Sequence, residues 1–305
     1  MKPRQVDIAF GPACRRIVRV ISQGRTQTQQ TLRALAEPGR SIFSLSILGF
    51  GLETLLVAQS NGANGSLSPD YRTIPVLPWI PTVPWLAYLF GAVVVVLGAC
   101  LLLNRRLKPV ALTLGALLFV CTVILDAPKY AVHLGSMGYR TIFLEPLGIA
   151  ALACLLPGRD AIPAALDRAS RYILAVCLIV FGIDHFLGLG FIGGLVPQWI
   201  PFHVFWVAFF GAVFIAAAIS IALDVMLPWG AAGLGLMFGI WVITLHGPRV
   251  AHALHNPDEW SSCLIAVAYW GGPWALAGLA ARQEVSAVAG LNARSTIPMP
   301  TLGVK

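Results

Sequence analysis

Residues 84–103 read PWLAYLFGAVVVVLGACLLL and residues 204–222 read VFWVAFFGAVFIAAAISIA, two apolar runs without a single charge. A helix needs about 20 such residues to cross a hydrocarbon core about 30 Å thick. Working outward, comparable windows occur at Ser41 to Ala58, Val110 to Leu125, Thr141 to Leu156, Tyr172 to Leu189, Gly230 to Leu245 and Ser262 to Ala280. The expectation is an all-α integral membrane fold of eight transmembrane helices.

Composition agrees with that reading. Of the 305 residues 57% are hydrophobic and 11% charged, against about 25% charged in ordinary soluble proteins. A soluble enzyme, a disordered chain and a nucleic-acid module are all poor fits. The net charge of +8 follows instead from topology. The N-terminal segment, the Arg105/Arg106/Lys108 turn, the Arg159 to Arg171 link and the tail after Ala281 hold 17 of the 21 Lys and Arg residues. The opposite loops hold only Arg72, Lys129, Arg140 and Arg249. The positive-inside rule therefore puts both termini in the cytoplasm. The basic first forty residues lack the short charged segment and cleavage site of a secretory signal.

The two opening runs are also copies of one another. At an offset of 120, Val76 matches Val196, Trp79-Ile80-Pro81 matches Trp199-Ile200-Pro201, and Phe90-Gly91-Ala92-Val93 matches Phe210-Gly211-Ala212-Val213. Gly115/Gly235, Leu125/Leu245, Pro128/Pro248 and Lys129/Arg249 continue the series, and Phe50-Gly51-Leu52-Glu53 matches Phe181-Gly182-Ile183-Asp184 at an offset of 131. Internal repeats of this kind mark tandem structural units. The expected organisation is a basic cytoplasmic segment (1–40), a first four-helix module (41–157), a cytoplasmic linker (158–171), a second four-helix module (172–281) and a cytoplasmic tail (282–305). An even number of spans per module inserts both the same way up, so the modules are parallel and related by a pseudo-two-fold axis along the membrane normal.

Several motifs have plain readings. The tryptophans Trp79 and Trp199 suit interfacial anchors, with Pro81 and Pro201 starting the next span. Six scattered cysteines with no C-x-x-C read as small core residues rather than a disulfide framework. Glycines at 211, 230, 233, 235 and 239 lack a preceding strand and a G-x-G-x-x-G pattern, so helix contacts explain them.

The few polar groups within the spans are the candidate sites, because ionisable residues in hydrocarbon are costly and usually face a bundle interior or wet cavity. All six histidines fall in outer loops or outer span ends. Glu53 and Asp184 lie twelve residues into their spans, about 18 Å of rise. Asp126 closes the third span and Glu145 opens the fourth from outside, giving the first module a polar site of Glu53, Asp126 and Glu145. At matched positions the second module replaces Asp126 with His246 and Glu145 with Ile265. Asp184, His203 and His246 are its candidate catalytic set for proton or quinone chemistry, since histidine exchanges protons near neutral pH. His185, Arg249, His252 and His255 lie at the periphery. His185, adjacent to Asp184, points about 100° away. Pro248 to Pro257 reads as a short interfacial helix with His252 and His255 on one face. No third ligand at a diagnostic spacing accompanies them, so no metal site is expected.

Phe181-Gly182-Ile183-Asp184-His185, Val196-Pro197-Gln198-Trp199-Ile200-Pro201, His203 with Phe205-Trp206, Gly235-Leu236-Met237-Phe238, Leu245-His246-Gly247-Pro248-Arg249 and Asn256-Pro257-Asp258-Glu259-Trp260 together resemble the DoxX-like membrane proteins. That resemblance implies a four-helix bundle of the bacterial inner membrane, here duplicated. It also implies quinone as a cofactor and a periplasmic or membrane oxidoreductase subunit as a partner beside the lipid bilayer. The function expected on these grounds is a redox-linked membrane subunit. A non-catalytic scaffold or assembly partner, or a small-solute transporter, are the alternatives.

Overall fold

The computed structural model describes residues 27–64 and 84–295, with side chains described for 27–56 and 85–285. Trp79 lies outside the described residues. A short helix α1 (27–34) leads into α2 (Ala36–Asn64), followed by α3 (Pro84–Leu102), α4 (Leu107–Val132), α5 (Met137–Leu155), α6 (Ala164–Leu187), the short α7 (Leu189–Gly193), α8 (His203–Leu223), α9 (Leu227–Trp241), α10 (Gly247–His252) and α11 (Pro257–Ser295). Among the described residues there is no strand. Seven helical stretches, Trp85–Leu102, Leu107–Val132, Met137–Leu155, Ala164–Leu187, His203–Leu223, Leu227–His252 and Pro257–Val285, are long and apolar enough to cross a membrane.

Their surfaces are apolar as well. Val93, Val96, Phe119, Ile124, Val176, Phe209, Ile219 and Leu236 are exposed, while the interior is filled by Phe43, Phe50, Leu114, Leu152, Leu174, Phe214, Leu234 and Tyr269. Contiguous exposed apolar surface on this scale needs lipid rather than water around it. The chain is a multi-pass membrane protein.

The helices pack in a closed cycle, α2–α3–α4–α5–α6–α8–α9–α11 and back to α2, with α5 and α11 also touching each other. The sequence repeat is visible in local structure. Helices α4 and α9 start at Leu107 and Leu227, and α5 and α11 at Met137 and Pro257, each pair 120 residues apart. The turn before α4 holds Asn104 and Arg106 at φ of 53° and 50°, and the turn before α9 holds Asp224 and Met226 at 59° and 52°. Left-handed backbone is costly for ordinary L-residues, so its recurrence at matched positions marks one turn design used twice. Glycine contacts repeat too. A Cβ on Gly51 would lie 2.9 Å from the Gly91 carbonyl oxygen, and one on Gly182 would lie 2.8 Å from that of Gly211. The bare glycine backbones let α2 meet α3, and α6 meet α8, at close range.

Several boundaries differ from expectation: α4 runs past Asp126 to Val132, α6 begins at Ala164 within the expected linker, and α11 continues past Ala281 to Ser295. Helix α5 begins well before Glu145 because the Ser136 side chain accepts a hydrogen bond from the Tyr139 N–H and caps the helix there. Glu145 therefore stands eight residues inside α5, about 12 Å from its start, rather than at its entrance. Pro248 does not open a separate interfacial helix. Residues Val242–His246 form a π turn, with the Gly247 N–H donating to the Val242 carbonyl, and this carries α9 into α10. Pro has no N–H to give the ladder, and the widened turn before it lets the helix continue to His252.

Candidate functional site

The predicted polar residues gather where α4, α6 and α9 end and α5 and α11 begin. Asp184, near the end of α6, is almost fully buried. Its Oδ2 accepts from Arg140 Nε at 3.0 Å, and Oδ1 accepts from the same guanidinium. Capping by Ser136 is what puts Arg140 in the first turn of α5, within reach of α6. The carboxylate is thus occupied by a two-pronged ion pair, the strongest common geometry for that group. Glu53 on α2, the repeat mate of Asp184, accepts a 2.6 Å hydrogen bond from the Ser261 hydroxyl on α11. Each acid therefore reaches from its own repeat to the opening turns of a helix in the other.

His185 turns away from Asp184, as helix geometry requires. Its Nδ1 lies 2.8 Å from the Phe181 carbonyl oxygen, and its ring stacks on Trp241 at 5.8 Å and meets Phe214 at 5.0 Å. Its Nε2 is buried with no hydrogen-bond partner. His246 closes the π turn, and its Nδ1 is likewise buried without a partner. A π turn lags an α turn by about one residue's rotation, so His246 does not sit on its helix as Asp126 does, although the two align in sequence. Arg249, one turn on, is held by Glu259 through bonds of 2.8 and 2.7 Å.

Asp126 is 1% exposed, and neither carboxylate oxygen has a hydrogen bond; Lys129 Nζ stands 3.6 Å from Oδ1. Thr122, one turn earlier on the same face, is wholly buried with an unpaired hydroxyl. Buried orphan polar atoms are rare in native structures, and each calls for a ligand, a water or a functional explanation. No family model matches this chain, and neither a curated protein nor a solved structure does. Its chemistry rests on the residues alone.

Glu145 is half-buried. Its backbone carbonyl, not its side chain, accepts the Tyr269 hydroxyl at 3.1 Å, and Gly148 leaves the space that the phenol enters. His203 opens α8, half-buried beside Gly193 of α7. Among the described residues no hydrogen bond, ion pair or ring contact joins Asp184, His203 and His246. They share an end of the bundle but do not form one constellation. His252 and His255 are exposed, as is Trp199 in the turn before α8. No group of three metal-capable side chains occurs among the described residues. Cys100, Cys121, Cys154, Cys177 and Cys263 are unpaired thiols.

Sequence reasoning overlooked Arg140 as the partner of Asp184, Ser261 as that of Glu53, and the buried Thr122 and Tyr269. Arg140 stood in the sequence only as one of four sparse cations, and since 44 residues separate it from Asp184, only the approach of α5 to α6 pairs them. Tyr269 was equally hidden, because only the crossing of α5 and α11 brings it to Gly148.

Proposed function

We propose that this chain is a DoxX-like protein of the bacterial inner membrane and serves as a redox-linked, quinone-associated membrane subunit. In this reading α2 supplies the first of eight spans. The two repeats are parallel four-helix modules about a pseudo-two-fold axis, and both termini are cytoplasmic. The matched turns, matched glycine contacts and the exchange of neighbours α2·α11 with α5·α6 support the two-module arrangement. One observation carries the function: Thr122, Asp126, His185 and His246 present buried polar atoms without partners at one end of a bundle where Asp184 and Glu53 are held by Arg140 and Ser261. A carrier that gains and loses protons with its electrons needs such acceptors and donors in an apolar setting.

The deciding experiment is an absorption spectrum of the purified protein with quinone and metal analysis, together with redox phenotyping of His246→Gln and Asp126→Asn. Bound quinone and a phenotype in either variant are expected. Protein free of quinone, metal and chromophore, with both variants behaving as the parent, sinks the reading. The scaffold reading has its own support, in that Arg140–Asp184 and Glu53–Ser261 use the expected reactive acids to tie one repeat to the other. Co-purification of a soluble periplasmic protein, unaffected by the histidine substitutions, favours that alternative.

A further inference from the structure

The two repeats surround their interiors with very different side chains. In the second repeat His185, Phe214, Phe238, Trp241 and Tyr269 form one cluster of rings. His185 meets Phe214 at 5.0 Å, Phe214 meets Phe238 at 5.7 Å, Phe238 meets Trp241 at 5.7 Å, and Phe238 stacks on Tyr269 at 5.0 Å. The matched positions of the first repeat hold Thr54, Val94, Leu118, Cys121 and Ile149. The surrounding frame is alike, with the same helix starts, left-handed turns and glycine contacts. Five rings are missing from it. An apolar cavity of about 10 Å³ remains there, lined by Ile47, Phe90, Val94, Leu118, Ile149 and Ile265. That volume holds only a water-sized group as it stands. A frame lacking its rings closes inward when empty, because a gap forfeits dispersion contacts on every wall.

Leu118, Thr122 and Asp126 lie four residues apart on the buried stripe of α4. Leu118 lines the cavity, and the orphan hydroxyl and carboxylate continue from it toward the helix end. Lys129 already balances the Asp126 charge, so a cation is not what the site lacks. It lacks a hydrogen-bond donor.

We propose that the first repeat binds a neutral, lipid-soluble molecule carrying an aromatic ring and a hydroxyl head, a phenol or hydroquinone. The hydroxyl donates to Asp126 beside Thr122, and the ring takes the space that the second repeat fills with its own side chains. The second repeat is the self-filled counterpart. This deepens the quinone-associated reading, but it concerns binding and needs no electron transfer.

The test uses the full chain in nanodiscs with decylhydroquinone, its dimethyl ether, and farnesol as a ringless alcohol. Binding is read by equilibrium dialysis and by the ligand-induced rise in unfolding temperature. Decylhydroquinone is expected to bind, and the ether and farnesol at least about tenfold more weakly. Asp126→Asn and Thr122→Val are each expected to weaken hydroquinone binding about tenfold. The double variant Val94→Phe/Leu118→Phe, which copies Phe214 and Phe238, is expected to abolish binding, and because its rings enter a frame with about 10 Å³ to spare it also lowers the ligand-free unfolding temperature. If that variant fails to fold, Thr122→Val decides, since it keeps the side-chain shape and copies Val242 of the second repeat. Equal binding of ether, farnesol and hydroquinone overturns the proposal, and so does parent-like binding by the variants. Intact binding with no redox phenotype removes the redox reading and leaves the site. A redox phenotype with hydroquinone binding indifferent to these substitutions removes the site alone.

Discussion

Replacing Asp184 by Asn tests whether this acid is a reactive group or a fastener. The pair it forms with Arg140 joins α6 to α5, and the side chains are 6% and 18% exposed. Breaking a buried ion pair by removing one partner costs about 3–5 kcal/mol, because the other charge is left unanswered. Arg140 sits in the first turn of its helix and can lift its head toward water along its flexible stem. That relief lowers the expected cost to about 2–3 kcal/mol, a factor of about 30 to 150 in the folded-to-unfolded ratio. The assay is reversible unfolding in mixed SDS micelles followed by circular dichroism, for the parent, Asp184→Asn, Arg140→Gln and the double variant. The expected coupling energy is about 1.5–3 kcal/mol, the range of hydrogen bonds to charged groups, with the double variant less damaged than the two singles added together. Coupling below about 0.5 kcal/mol, which is additivity within error, refutes the fastener. So does loss of function in Asp184→Asn with unchanged stability and a silent Arg140→Gln.

Other expectations follow from the same contacts. Ser261→Ala removes the hydroxyl bonded to Glu53 and should cost about 1.5–3 kcal/mol in the same unfolding assay. Gly271→Ala puts a Cβ 2.3 Å from the Phe43 backbone nitrogen, forcing α2 and α11 apart at a cost of about 3 kcal/mol or more. Gly233→Ala meets nothing within 4 Å and should be neutral or stabilising by up to about 1 kcal/mol. Arg40, with Arg282 behind it, holds the Glu37 carboxyl below the usual carboxylate range. A carboxyl with a depressed folded pKa contributes stability above its unfolded pKa and loses it as pH falls through the folded one. Glu37→Gln should therefore flatten the acid limb of a stability–pH curve, an effect that shrinks with added salt. A fluorescent reporter fused after Lys305 should fold and fluoresce if the C-terminus is cytoplasmic, and a dark fusion with intact expression contradicts the charge argument.

Seven of the eight expected spans, all but the window from Ser41 to Ala58, were legible in the sequence because length and apolarity are one-dimensional properties. The run from Pro84 became α3, and the match of Leu107 to Leu227 and Met137 to Pro257 came from a repeat that any reader of the chain can align. The candidate site was legible only as an inventory. Hydrocarbon makes every intramembrane charge conspicuous, so Glu53, Asp126, Glu145, Asp184 and His246 could be picked out one by one. Which of them remain without a partner was not legible.

The sequence by itself determined that this chain crosses a membrane repeatedly and carries an internal repeat, since hydrophobic length and self-similarity survive without coordinates. Tertiary structure decided the chemistry. Arg140 and Ser261 come from helices far along the chain from the acids they satisfy, and among the described residues Thr122, Asp126, His185 and His246 are left, with Gln29 and Trp270, holding buried polar atoms without partners. The physical reason is that a polar side chain's role depends on who reaches it in three dimensions. The α2–α11 crossing that brings Ser261 to Glu53 is held by bare glycines, since a Cβ on Gly39 would lie 2.8 Å from the Gly271 carbonyl oxygen and one on Gly271 would lie 2.6 Å from that of Gly39.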